Sequence, residues 1–129
     1  MNKPLSVLVA HNSYQMRGGE DAVVDAEVAL LRAHGHQVIE YRRHNDELRD
    51  MRTLVAAINT LWSRKTSGDL DALVAQARPD IIHVHNTFPL ISPSLYWTAD
   101  RHAIPVVQTL HNFRLMCPQA MLLRDGKVC

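Results

Sequence analysis

The spacing of apolar and polar positions changes along the chain, and the changes mark its elements. Residues 5–10 form a short, mostly apolar run that reads as a buried strand. An irregular segment is expected over residues 11–19. Over residues 20–34 the period becomes helical. Val24, Val28 and Leu31 fall on one stripe, with Asp21, Asp25 and Arg32 read as the opposite one. Gly35 suits the C-cap, and residues 37–41 read as a second strand. Asn45 or Asp46 suits the cap of a next helix. Leu48, Met51, Val55, Ile58 and Trp62 recur there every three or four residues, a stripe that reads as core. Gly68 and Asp69 mark an expected break before a short helix over residues 70–77. Pro79 and Asp80 precede a third strand over residues 81–85. Residues 93–102 predict a helix with Pro in its first turn, and residues 104–111 a fourth strand. Residues 120–124 and 127–129 read as a hairpin turning at Asp125 and Gly126.

Strands alternating with helices imply a parallel sheet with right-handed crossovers. The strands are rich in Val, Ile and Leu, as a sheet covered on both faces requires. The expected class is therefore α/β: a Rossmann-like parallel sheet flanked by helices, ending in a partial β-hairpin. The final strand has three residues before the chain stops, so residues 1–129 read as one domain, incomplete at its C-terminal end.

Composition narrows the function. The 129 residues carry 14 Lys and Arg against 13 Asp and Glu, a net charge of +1. That balance argues against nucleic-acid binding, which needs a basic face. No apolar run reaches the roughly 18 residues of a membrane span, and the N-terminus lacks a signal-peptide pattern. Two cysteines, Cys117 and Cys129, do not make a disulfide scaffold. A cytoplasmic domain is the expectation.

Open parallel sheets bind ligands beyond the carboxyl ends of their strands. Three His-Asn pairs stand there: His11 with Asn12, His85 with Asn86, and His111 with Asn112. Their convergence would give a cleft of neutral donors and acceptors suited to hydroxyl-rich ligands. Gly18 and Gly19 lead into the first helix, where backbone N–H groups and the helix dipole suit a diphosphate. A plain turn also explains them. The dinucleotide fingerprint G-x-G-x-x-G is absent. Tyr41-Arg42-Arg43 closes the second strand without an acidic residue for a ribose, which disfavours a nicotinamide dehydrogenase. Arg17, Arg42, Arg43 and Arg114 are candidate anion contacts or solvated loop residues. His83 and His85 share a strand face, and zinc could take both with His111. With no acidic or cysteine ligand evident nearby, His83 reads as a packed strand residue and no metal site is expected.

Five motifs follow one another along the chain: Leu5-Ser6-Val7-Leu8-Val9, Gly18-Gly19-Glu20, Leu31-Arg32-Ala33-His34-Gly35-His36, Pro79-Asp80-Ile81-Ile82-His83-Val84-His85-Asn86, and Pro105-Val106-Val107-Gln108-Thr109-Leu110-His111-Asn112-Phe113-Arg114. In this order they resemble the N-terminal half of a family 4 glycosyltransferase of the GT-B class. The resemblance spans nearly the whole chain. It implies an acceptor-binding domain in retaining transfer of a sugar from a nucleotide sugar, a co-substrate rather than a cofactor. It implies that Gly18 and Gly19 approach the donor diphosphate and that His111 lies beside the transferred sugar as the catalytic residue. Asn12, His85, Asn86, Asn112 and Arg114 are then the expected acceptor contacts. The acceptor would be a glycan or a lipid-linked sugar of polysaccharide biosynthesis, with peripheral association at the inner face of the membrane. The family's nucleotide-binding domain and its pair of glutamates are absent here, so the isolated chain is expected to be inactive without that domain in cis or in trans. The resemblance also leaves open a metal knuckle joining Cys117 and Cys129 in a longer protein.

Three other readings stay open. One is a metal-dependent hydrolase using His83, His85 and His111, which would need stoichiometric zinc. Another is a non-catalytic α/β binding module working with a partner chain. A sugar-nucleotide epimerase shares the two-domain architecture.

Overall fold

β1 (Ser6–Ser13) is a central strand of a four-stranded parallel sheet in a computed structural model that describes residues 3–129. β2 (Gln37–His44) flanks it on one side; β3 (Ile81–Val84) and then β4 (Val106–Gln108) lie on the other, giving the order β2-β1-β3-β4. β1 pairs with β2 from Ser6 against Gln37 through Ser13 against His44. That shared ladder carries β1 through His11, Asn12 and Ser13, where an irregular segment was expected. β4 is shorter than expected. Thr109 still donates its N–H to the carbonyl of Val84 before the chain leaves the sheet.

Both faces of the sheet are covered. On one, Val7 and Val9 pack against Val24 and Val28 of α1 (Gly19–Ala33). On the other, Leu8, Ala10, Ile82 and Val84 meet Leu70 of α3 (Arg64–Ala77), and Leu95 and Ala99 of α4 (Ser94–Arg101). The Rossmann-like α/β arrangement is thus present, with a small antiparallel hairpin after it.

Gly35 closes α1 at φ +83°. Its N–H bonds to the Arg32 carbonyl and the N–H of His36 to that of Leu31, a Schellman ending that needs a left-handed residue. Asp21 departs from the expected pattern. It lies on the same helical stripe as Val24 and Val28 and is buried, not on the solvent face.

The segment after β2 also departs. A 3₁₀ helix, Asn45–Asp50, is capped by His44, whose Nδ1 accepts the N–H of Asp46 at 3.2 Å. Met51 and Arg52 are extended, and α2 (Thr53–Leu61) follows with no buried residue. Val55 is 45% exposed and Ile58 55%, so this stripe is not core. The reason is geometric: α1, α3 and α4 already cover the sheet, and no interior face is left for α2. Trp62 packs edge-to-face on Trp97 at 5.8 Å.

The break expected at Gly68 and Asp69 falls instead at Trp62 and Ser63. Ser63 caps α3 by accepting the N–H of Thr66 at 3.2 Å, and Gly68 sits inside that helix on its exposed side. A helical glycine costs about 1 kcal/mol relative to alanine, which burial of Leu70 and Val74 outweighs. At the C-terminal end, β5 (Leu123–Arg124) and β6 (Lys127–Val128) pair around Asp125 and Gly126, both at positive φ as a type I′ turn requires. Ala120 and Leu122 are also left-handed, so the strand cannot reach back to residue 120 as expected. Among the described residues, no helix is long and apolar enough to cross a membrane.

Candidate functional site

The chain leaves β1 toward β2 on one side of the sheet and later returns to β3 on the other. At the carboxyl ends of two such strands a crevice opens. β1 delivers His11 there, His85 directly follows β3, and His111 lies three residues past β4. The rings of His85 and His111 stack at 5.2 Å between centroids, with His85 Nδ1 3.0 Å from His111 Nε2. His11 stands edge-on to His85 at 6.1 Å. The three histidines therefore converge.

Burial and close partners set the states of Asp21 and His85 in this cluster. The Nε2 atom of His11 contacts Asp21 Oδ1 at 2.9 Å, and the other oxygen of Asp21 accepts the N–H of Gly18 at 2.8 Å. Burial works against ionisation of Asp21. The bonds from Gly18 and His11 outweigh it, and the carboxyl is held below its ordinary range. His85 is pushed down to about 3, first by burial and then by the nearby His83 and His111 rings, so it is neutral near pH 7.

A cleft of about 110 Å³ opens beside His85 and His111. Asn86, Thr87, Asn112 and Arg114 give it polar walls, and Phe88, Tyr96 and Leu110 an apolar side. Asn86 donates from Nδ2 to the Asn12 carbonyl at 2.9 Å and accepts the N–H of Phe88. Asn112 donates to Glu20 at 3.0 Å and accepts the N–H of Arg114. The Arg114 guanidinium lies 4.5 Å over the Phe88 ring.

Of the expected acceptor contacts, the His85 side chain is fully buried and backs the cleft wall, and Asn12 lies off the cleft altogether. It is fully buried, donates to Asn45 Oδ1 at 2.7 Å and accepts the N–H of Leu90 at 3.2 Å. Its amide braces the loops beneath the cleft and does not line it. Of the four arginines, Arg17 and Arg42 pair with Asp25, and Arg43 with Glu47. Arg114 has no ion pair among the described residues.

A family model for the glycosyl transferase 4-like domain matches residues 14–127, most of the chain. The chain belongs to the glycosyl transferase 4-like domain family. No curated protein and no solved structure matches it. By family, then, this is a glycosyltransferase N-terminal-type domain, with sugar donors and acceptors in general as its substrates.

In this glycosyl transferase 4-like domain, Gly18 and Gly19 are exposed at the start of α1. Neither has positive φ, and a Cβ on either would meet nothing within 4 Å. The domain's own packing does not require glycine there.

The three histidines named for zinc do not share one ligand position. His111 meets the Nδ1 side of His85, whereas His83 lies with Glu27 toward the Nε2 side. An acidic neighbour is present after all: Glu27, brought over β3 by α1. The sequence carried a signal for it, because Glu27 stands three residues after Val24 and one before Val28, within the buried stripe.

Gln108 and Tyr96 were also missed. The Tyr96 hydroxyl donates to Gln108 Oε1, and Gln108 Nε2 donates to the His85 carbonyl, so the pair holds the β3 end against β4. A glutamine inside an apolar strand was the available clue. Cys117 is buried and Cys129 exposed, both as free thiols.

Proposed function

We propose that this domain forms the acceptor side of a retaining glycosyltransferase that uses a nucleotide sugar as co-substrate. The convergence of His85-Asn86 and His111-Asn112 at the strand-switch cleft carries the reading. Asn86, His111 and Asn112 offer donors and acceptors there, with the fully buried His85 ring backing His111, and an apolar wall suits a sugar's hydrophobic face. His111 Nε2 is engaged by His85, and its Nδ1 has no hydrogen bond among the described residues, so that atom is free for a sugar hydroxyl. Gly18 and Gly19 would let the α1 N-terminus approach the donor diphosphate, where N–H groups offset charge on the leaving group. Asp21 already takes the Gly18 N–H, which leaves the amides after it for the ligand. A glycan or lipid-linked acceptor fits the cleft chemistry, and we place the reaction in the cytoplasm at the inner face of the membrane. Transfer would require a nucleotide-binding domain supplied in cis or in trans.

Amide NMR of the labelled 129-residue chain, titrated with mono- and disaccharides to millimolar concentration, tests this reading. Shifts centred on Asn86, His111 and Asn112 are expected. No shift there, or shifts confined to a distant surface, would overturn acceptor binding. Incubating the same chain with radiolabelled nucleotide hexoses should give no transfer, and measurable transfer would refute the need for a second domain.

A further inference from the structure

Three ligand-type side chains meet on the α1 face of the sheet, away from the His85–His111 contact. Glu27 Oε2 lies 3.2 Å from His85 Nε2 and 3.6 Å from His83 Nδ1. All three groups offer one ligand atom within 4.8 Å of one another. We propose that Glu27, His83 and His85 bind a divalent transition-metal ion of the zinc type.

Two orphaned atoms support the site. Glu27 Oε2 and His85 Nε2 are both buried, and neither has a hydrogen-bond partner among the described residues. The His85 side chain is fully buried. A buried polar atom left unpaired is destabilising, so two of them side by side require an explanation. Their 3.2 Å contact misses hydrogen-bond geometry. Two ligands of one ion are not aimed at each other; each is aimed at the ion between them. Zinc bonds of about 2.0–2.2 Å in a tetrahedron put ligand atoms roughly 3.3 Å apart, which matches the two distances here.

The far side of each ring supports the same assignment. His83 Nε2 contacts Thr109 Oγ1 at 2.9 Å, and His85 Nδ1 contacts His111 Nε2 at 3.0 Å. Metal-bound imidazoles usually donate their other N–H to such a partner, which fixes the tautomer and ring angle. With those protons outside, both inner nitrogens present lone pairs toward Glu27. Two imidazoles and one carboxylate suit zinc, iron or nickel better than calcium or magnesium. His83 is 18% exposed and Glu27 34%, so the site has an open side for water as a fourth ligand. An ion here would also clamp His85 and, through it, His111.

The test uses the purified chain after chelator treatment, titrated with Co²⁺ by visible absorption and with Zn²⁺ by calorimetry. One equivalent is expected, with ligand-field bands of a four- or five-coordinate site. Glu27→Gln and His83→Gln should each weaken binding at least tenfold, while His34→Gln on the exposed end of α1 leaves it unchanged. Absence of saturable binding, or binding that survives Glu27→Gln, would overturn the proposal. Loss to the same degree in His34→Gln would overturn it too. Circular dichroism checks each fold, and Glu27→Gln, close in shape to the native residue, decides the matter if His83→Gln does not fold. Metal alone is the probe, so failure here leaves the glycosyltransferase reading standing.

Discussion

Asp21 shows how one side chain serves two parts of this molecule. It closes the start of α1 through the Gly18 N–H and holds His11 at the end of β1. A carboxylate on an apolar helical stripe is costly unless paired, and both its oxygens have partners. His85 is the more informative residue for pH. Its folded pKa is about 3, against about 6.5 for a free histidine. Between those values the unfolded chain binds a proton that the native chain excludes. Stability is therefore lost as pH falls below about 6.5, at up to about 1.4 kcal/mol per pH unit for this one group. Urea unfolding in chelator between pH 7 and pH 4 should show that slope, and His85→Gln should flatten it. An equal slope in the variant would assign the effect to other groups.

At the scale of elements, α2 is the instructive case. Its apolar period is genuine, yet Leu54, Val55, Ile58 and Leu61 are all exposed. Periodicity reports that a helix has an apolar face; it does not report whether the fold leaves anything to cover that face. Val55→Ser and Ile58→Ser should therefore each change stability by no more than about 0.5 kcal/mol in urea titration. A loss of several kcal/mol would mean that α2 is packed. The helix boundaries were decided in the same way. Ser63 offers a side-chain cap and Gly68 does not, so α3 starts at the cap and runs through the glycine.

The whole molecule is organised by a sheet buried on both faces, with its chemistry at one end. The layer between the sheet and α3 and α4 holds Leu8, Ile82, Leu70 and Leu95, all fully buried. Leu95→Ala leaves a cavity in that layer and should cost about 2–5 kcal/mol, read as a lower urea midpoint at unchanged slope. A cost under about 1 kcal/mol would mean that the α4 layer is loosely packed. β3 and β4 position the cleft residues, so disorder in this layer should reach the His85 and His111 amides first.

The sequence alone determined the order and type of the sheet elements, because buried parallel strands must be continuous apolar runs and their crossovers must be helical. It also marked the strand ends where His85-Asn86 and His111-Asn112 stand, and it carried the family resemblance that the family model bears out. The tertiary structure decided which helix faces are buried, and so placed Asp21 inside, Glu27 half-buried beside His83 and His85, and the α2 stripe outside. It also decided which polar groups face the cleft and which brace it, committing Asn12 to Asn45 and Leu90 while leaving Asn86 and Asn112 on the wall. The physical reason is range. Apolar period and capping are local properties of the chain, whereas burial and pairing depend on partners up to 92 residues apart, as between Glu20 and Asn112.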